Sequence, residues 1–191
     1  RWLLGEKTSK EARLSDKSVE AYRRIIKKAN TLSEVKDEEK LERLKRVLME
    51  IEAQLEKAGI RVVEEDGIVK VRGGFKIAQE RIKAFDATQK ARLRINLAKE
   101  YEKVAKGAEA LSKSEDKDKL TELSNRIAEV SEGRIGNVRY MVLQEDLNAK
   151  GVRKAREKAY RALNNAEKRI KEDETKVAAE EKARLEKKAT V

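Results

Sequence analysis

Apolar residues recur every three or four positions through most of the chain, which is the spacing of an amphipathic helix. The clearest run forms a heptad seam that could face a partner helix: Leu41, Leu44, Leu48, Ile51, Leu55 and Ala58. A shorter seam precedes it, out of phase by one residue: Val19, Tyr22, Ile26 and Ala29. The change of phase predicts a helix break at residues 30–33, with Thr31 and Glu34 forming a capping box for the next helix.

The pattern changes after Gly59, where two short β-branched runs, residues 60–64 and 68–72, flank an Asp-Gly pair. This arrangement favours a β-hairpin. Asp66 and Gly67 are most simply its turn. With Ile68 beside them, they also form a candidate contact point for a partner.

Helical spacing resumes at Phe75 and predicts a helix to about Leu111. Its apolar residues on or near one face are Ile82, Phe85, Leu93, Leu97, Tyr101, Val104, Ala108 and Leu111. Residues 112–119 are polar and predict a turn. A third long helix is predicted to start near Asp118.

The apolar phase of this third helix slips at Gly133 and Gly136, then continues through Val138, Val142 and Leu147. Small residues at helical spacing permit a close helix crossing, whereas glycine also weakens a helix by about 1 kcal/mol relative to alanine. Gly133 and Gly136 therefore predict either a close packing contact or a kink or short break in the helix, and they are candidate partner contacts.

A break or bend is predicted near Gly151, followed by an Ala-rich, charged helix. The thin stripe of this helix consists of Ala155, Ala159, Ala162, Ala166 and Ile170. Together these patterns predict a mainly α protein: an elongated antiparallel helical bundle or coiled coil with one small β-hairpin insertion. The predicted divisions are N-terminal helices over 1–59, the hairpin over 60–74 and a long helical hairpin over 75–191, all within one extended domain.

Composition supports the helical prediction. Lys and Arg number 47 against 36 Asp and Glu, so the net charge is +11, yet the two signs are interleaved. Several Glu residues precede Lys or Arg by four positions, an order that stabilises helices. The chain has no Pro, so no ring interrupts the predicted helices.

The chain contains neither Cys nor His. The absence of Cys excludes disulfides and thiolate chemistry, and the absence of His excludes the commonest general base and metal ligand. The sequence has no phosphate-binding or dinucleotide-binding glycine motif. We therefore predict a protein that is not an enzyme, with no catalytic or metal site and no cofactor.

Basic residues cluster in two places, and the denser cluster is Lys150, Arg153, Lys154, Arg156, Lys158 and Arg161. Phosphate contacts use such clusters. Nucleic acid is therefore a possible partner, although aromatic residues for stacking bases are few. The default interpretation is that Arg153 and Arg156 lie on a solvated or subunit-facing surface.

Residues 123–138, with Gln144, Leu147, Asn148 and the Ala-rich helix that follows, resemble the C-terminal half of minor pilus-tip subunits of bacterial type IV secretion and conjugation systems. The resemblance covers about 70 residues. It implies an extended helical bundle with a small appendage, exported and placed at the pilus tip, where such subunits help assembly and contact recipient cells. No functional residue follows from it.

The leading prediction is a structural, adhesion-like component of such an apparatus. Its partners would be copies of itself, bound through exposed heptads, and other subunits. The alternatives are an intracellular coiled-coil adaptor or chaperone and a basic nucleic-acid-binding protein. The start at Arg1, without Met, favours a periplasmic, extracellular or cell-surface location, with the cytoplasm as the alternative.

Overall fold

The computed structural model describes residues 9–60, 62–65, 68–71 and 75–189, and most of these are helical. The helices are α1 (Ser9–Ala29), α2 (Glu38–Lys57), α3 (Phe75–Glu109), α4 (Lys117–Ser131), α5 (Gln144–Leu147) and α6 (Lys150–Ala189). Single 3-10 turns, Val35–Asp37 and Ser114–Asp116, precede α2 and α4. The mainly α prediction is confirmed.

The predicted hairpin after α2 is present. Strands β1 (Val62–Glu65) and β2 (Ile68–Val71) pair antiparallel, with Val62 opposite Val71 and Glu65 opposite Ile68. The predicted turn residues Asp66 and Gly67 lie outside the described residues. Ile68 is the first residue of β2, at the turn end of the strand pair.

The chain divides into two compact units, and the boundary falls inside α3, between Leu93 and Arg94. The predicted boundaries at 59/60 and 74/75, which divide one extended domain into segments by composition, stay a prediction. A single continuous helix can supply one stretch of its length to each of two cores, and composition does not mark that transition.

The first unit packs α1, α2 and the N-terminal part of α3 around a shared core. Its buried apolar residues include Val19, Tyr22, Ile25 and Ala29 of α1, Leu41, Leu44, Leu48, Ile51 and Leu55 of α2, and Ile77, Ala84, Ala87 and Ala91 of α3. The Tyr22 hydroxyl donates to Glu52 Oε1 at 2.6 Å, and Arg81 Nε donates to Glu52 Oε2 at 2.9 Å. Glu52 therefore links all three helices.

Two details of the predicted core are wrong. Ile25 is buried in place of Ile26, and Ile82 is 42% exposed. In the N-terminal part of α3, most of the buried apolar residues are alanines: Ala78, Ala84, Ala87 and Ala91, beside Ile77. The sequence pattern assigns the larger apolar residue of each helical turn to the core. In α3 the helices pack closely on alanines, so Ile82 is left on the surface.

The second unit packs the C-terminal part of α3 against α4 and α6. Its buried apolar residues include Ile95, Leu97, Tyr101, Val104 and Ala108 of α3, Ile127 and Val130 of α4, and Val152, Ala155, Ala159, Ala162, Ala166 and Ile170 of α6. The predicted alanine stripe is thus buried along its whole length. Tyr101 and Ser131 share a hydrogen bond of 2.8 Å between their hydroxyls.

The first break lies at the predicted place, but its capping box consists of Glu34, as the N-cap residue, and Asp37, instead of Thr31 and Glu34. Thr31 Oγ1 donates to the Lys28 carbonyl oxygen. Asp37 organises the turn instead, because its Oδ2 accepts the backbone N–H groups of Ser33 and Glu34 at 3.2 and 3.1 Å. Sequence rules for capping boxes assume that the helix restarts directly, whereas here a 3-10 turn intervenes.

The turn before α4 has the same design. Asp116 Oδ2 accepts the backbone N–H groups of Ser112 and Lys113, both at 3.1 Å. Lys119 lies three residues beyond Asp116 and pairs with it, as Lys40 does with Asp37. The two turns are therefore stabilised by the same type of hydrogen bonds and the same type of ion pair.

This similarity extends through both units, which share the element order helix, 3-10 turn, helix, hairpin, helix, except that the second unit has the additional short helix α5 between its hairpin and α6. Over the first two helices, corresponding residues are 79 positions apart: Tyr22 and Tyr101, Ala29 and Ala108, Leu32 and Leu111, Ser33 and Ser112, Asp37 and Asp116, Lys40 and Lys119, Leu41 and Leu120, and Leu44 and Leu123. Over the third helix they are 75 apart: Arg81 and Arg156, Lys83 and Lys158, Ala84 and Ala159, Ala87 and Ala162, Ala91 and Ala166, Arg94 and Arg169, and Ile95 and Ile170. The chain is an internal repeat of one helical unit, and α3 serves both copies.

Candidate interaction surface

Gly133 and Gly136 lie in a second, very short β-hairpin, so the prediction that the helix continues past them is wrong. Strands β3 (Arg134–Ile135) and β4 (Val138–Arg139) pair antiparallel. Gly133 has a φ of +87° and Gly136 a φ of +59°. These left-handed conformations cost glycine little, and they end α4 and turn the chain back.

The segment after this turn, residues 138–143, is called the apolar loop below. Its sequence is Val-Arg-Tyr-Met-Val-Leu. Four of its large apolar side chains are exposed: Val138 by 51%, Tyr140 by 39%, Met141 by 83% and Leu143 by 40%. Isolated exposed apolar residues are common, whereas four within six positions concentrate apolar surface on one short segment, and concentrated apolar surface is a mark of interaction sites.

Two hydrogen bonds, made by the backbone N–H groups of Tyr140 and Leu143, hold the apolar loop in place. The Tyr140 N–H donates to the Gly133 carbonyl oxygen at 2.9 Å. At the end of the loop, Asp146 Oδ2 accepts the Leu143 N–H at 3.2 Å. The exposed side chains are therefore carried on a backbone that is held at Tyr140 and Leu143.

Asp146 is in turn held by α3. Arg94 Nε donates to Asp146 Oδ1 at 2.8 Å, and the side chains of Arg94 and Asp146 are 12% and 2% exposed. A buried ion pair of this kind fixes geometry strongly because neither charge can be left without its partner. The pair anchors the end of the apolar loop to the core of the second unit.

The apolar loop and its hairpin are positively charged. No Asp or Glu occurs between Gly133 and Leu143. Arg134 lies directly opposite Arg139 in the strand pair. Arg134 reaches Glu129 at 3.4 Å, whereas Arg139 has no ion-pair partner among the described residues. The exposed apolar patch therefore carries at least one uncompensated guanidinium.

The basic cluster on α6 is partly neutralised. Arg153 lies 3.9 Å from Glu157, and Lys158 lies 3.5 Å from Glu109. Arg156 is half-buried and its charge acts on Tyr101, whose pKa is nevertheless raised, chiefly by burial. Arg156 is partly buried and Arg153 is exposed, and the nucleic-acid prediction for this cluster stays untested.

A groove on the second unit is lined by Leu120, Ser124, Ile127, Ala128, Tyr160, Leu163, Asn164 and Glu167. Ser124 and Ala128 of this groove correspond to Lys45 and Met49 in the first unit. The side chains of Ser124 and Ala128 are smaller and leave more space at these positions. The volume of the groove is about 270 Å³. Ligand pockets begin near 300 Å³, so this groove is sized for one or two side chains.

Sequence reasoning missed the residues that make the apolar loop a candidate site: Arg94, Tyr140, Met141, Leu143 and Asp146. Val138 and Val142 fitted a helical spacing, which hid the loop. The available signal was the unbroken apolar run at residues 140–143 after two glycines, because an amphipathic helix does not place four consecutive apolar residues on one face.

No protein-family model, curated protein or solved structure matches this chain. None of the described helices combines the length and apolar content that crossing a bilayer requires.

Proposed function

We propose that the chain is a non-enzymatic, adhesion-like structural protein. In this proposal the repeated helical unit is the scaffold, and the apolar loop of the second unit attaches to a cell surface. The observation that carries the proposal is the exposure of Val138, Tyr140, Met141 and Leu143 on a backbone held by Gly133 and Asp146. A surface fixed before binding loses less conformational entropy when it binds.

The heptad seam of α2 gives no support to self-association. Leu41, Leu44, Leu48, Ile51 and Leu55 are all buried by the first unit itself, at 8% exposure or less. The seam that was predicted to bind a second chain is thus covered by helices of the same chain. An exposed apolar surface remains at the apolar loop, and attachment is placed there.

Membership of a type IV secretion or conjugation apparatus rests on the sequence resemblance alone and remains a prediction. Electron microscopy of isolated surface filaments, with the protein located by antibody, is the direct test. Labelling of filament tips would support it, and filaments that lack the protein would contradict it.

Cell attachment is tested by flow cytometry of intact bacterial cells incubated with fluorescently labelled protein. We expect the Tyr140→Ser/Met141→Ser variant to bind at least tenfold less than the wild type. The matched control is Val177→Ser/Leu185→Ser, which removes two exposed apolar side chains from α6. Equal binding by the wild type and the loop variant, or no binding at all, would overturn the proposal.

A further inference from the structure

We infer that the apolar loop inserts into the interface of an anionic lipid surface, with Arg139 against the headgroups. This inference rests on the proposed attachment through the apolar loop and names the chemistry of the partner. It is carried by the combination of exposed apolar side chains, positive charge and a fixed loop backbone.

The apolar side chains suit a lipid interface. Met141 and Val138 are more than half exposed, and Tyr140 adds an aromatic ring with a polar hydroxyl. Aromatic rings of this type favour the boundary between headgroups and acyl chains. The four side chains stand on neighbouring residues of a hairpin and loop, so they can enter a soft interface without a complementary pocket.

Because the chain is positively charged, we expect it to bind anionic lipid more tightly than neutral lipid. The net charge is +11, and Arg139 on the segment from Gly133 to Leu143 has no ion-pair partner among the described residues, whereas Arg134 pairs with Glu129, and Glu132 and Glu145 flank the segment. Each basic residue near an anionic membrane surface contributes roughly fivefold to binding at low salt. The same net charge makes two copies of the chain repel each other, which disfavours a second copy as the partner.

Buried hydrogen bonds and an ion pair hold the backbone of the apolar loop in the conformation that exposes its apolar side chains. Asp146 is 2% exposed and pairs with Arg94, and it also accepts the Leu143 N–H. Hydrogen bonds made by the backbone at Tyr140 and Leu143 leave fewer polar groups to desolvate at the interface. The apolar side chains can then enter the membrane while the backbone stays bonded to the protein.

The test is co-sedimentation of the full chain with vesicles of phosphatidylcholine alone and of phosphatidylcholine with one quarter phosphatidylglycerol. We expect at least tenfold tighter binding to the anionic vesicles, weakened by salt. Tyr140→Ser/Met141→Ser should lose at least tenfold, and Val177→Ser/Leu185→Ser should bind as the wild type does. Circular dichroism of each variant checks that the fold is kept.

Insertion itself can be followed because the chain has no Cys. A polarity-sensitive dye on Met141→Cys should shift to the blue with anionic vesicles. The same dye on Met49→Cys is the control, since Met49 is also well exposed, at 69%, but lies on α2. Equal shifts at both positions would overturn the inference.

The outcomes separate this inference from the proposed function. If the wild type binds cells through the apolar loop but ignores both vesicle types, attachment stands and the partner is a protein or glycan, so the lipid inference fails. If the loop variant matches the wild type on cells and on vesicles, both proposals fail.

Discussion

At the scale of single residues, a few buried contacts determine where the exposed groups of the second unit lie. Gly133 is buried, and its carbonyl oxygen accepts the Tyr140 N–H of the apolar loop, whereas Gly136 is exposed at the turn. Both have positive φ, but only Gly133 is surrounded by other atoms. The two glycines therefore make a matched pair of test positions.

Gly133→Ala should destabilise the second unit more than Gly136→Ala does. A Cβ on Gly133 would collide with the Tyr140 carbonyl oxygen and lie 2.9 Å from Val142 Cγ2, whereas one on Gly136 meets no atom within 4 Å. Gly136→Ala should cost about 1–2 kcal/mol for the left-handed conformation alone, and Gly133→Ala more. Chemical denaturation measures both, and equal costs would contradict the described packing.

Asp146→Ala should lower the free energy of unfolding of the second unit by about 3–5 kcal/mol, the typical cost of removing one partner from a buried ion pair. Arg94 would lose its carboxylate and Leu143 its acceptor. Amide exchange at Leu143 should rise in parallel. The control is Arg153→Ala, whose pair with Glu157 is 58% exposed on both sides and should contribute under about 1 kcal/mol. Similar losses for the two variants would contradict an anchoring role for Asp146.

At the scale of elements, each repeated turn depends on one aspartate. Burial works against the charge of Asp37, but hydrogen bonds from Lys40, Glu34 and Ser33 hold its pKa below the usual range. Backbone N–H groups of Ser112 and Lys113 lower the pKa of Asp116. These are local, charge-dependent connections between successive helices.

A depressed pKa makes these connections pH-dependent. Each aspartate adds stability that is complete above its ordinary pKa of about 3.9 and is lost as the pH falls through the lower value of the folded state. We expect Asp37→Asn and Asp116→Asn to be less stable than the wild type at pH 7. The difference should shrink as the pH falls from about 5 to 2, measured by urea denaturation. A difference that does not change with pH would contradict the charge-dependent role.

At the scale of the whole molecule, the internal repeat gives each unit its own hydrophobic core. Leu48 and Ile127 occupy corresponding positions, 79 residues apart, and each is 2% exposed. In repeat proteins, stability is close to a sum of unit terms and nearest-neighbour terms. The two residues allow the cores to be perturbed one at a time.

Leu48→Ala and Ile127→Ala should each lower the free energy of unfolding by about 2–5 kcal/mol. The first variant should destabilise the first unit, and the second variant the second unit. Hydrogen exchange should accelerate in α1 and α2 for Leu48→Ala and in α4 and α6 for Ile127→Ala. Since α3 belongs to both units, its amides are left out of the comparison. Acceleration spread evenly over α1, α2, α4 and α6 in either variant would show a single cooperative core instead.

The sequence by itself determined the features that depend on local spacing. Helical periodicity, the Asp-Gly pair and the phase change near residue 30 predicted most of the helices, the β1–β2 hairpin and the first break, because backbone conformation follows from neighbours along the chain. The repeat was also present in the sequence, in Tyr22 and Tyr101 or Asp37 and Asp116, and a comparison of the chain with itself would have found it.

Tertiary structure alone decided which apolar residues are covered. The Leu41 to Leu55 seam and the run at residues 140–143 are both apolar, yet the first is buried within its unit and the second is exposed. Periodicity is a property of one segment, whereas burial depends on which other segments pack against it. The position of the apolar loop likewise depends on Arg94, which is distant in sequence and pairs with Asp146.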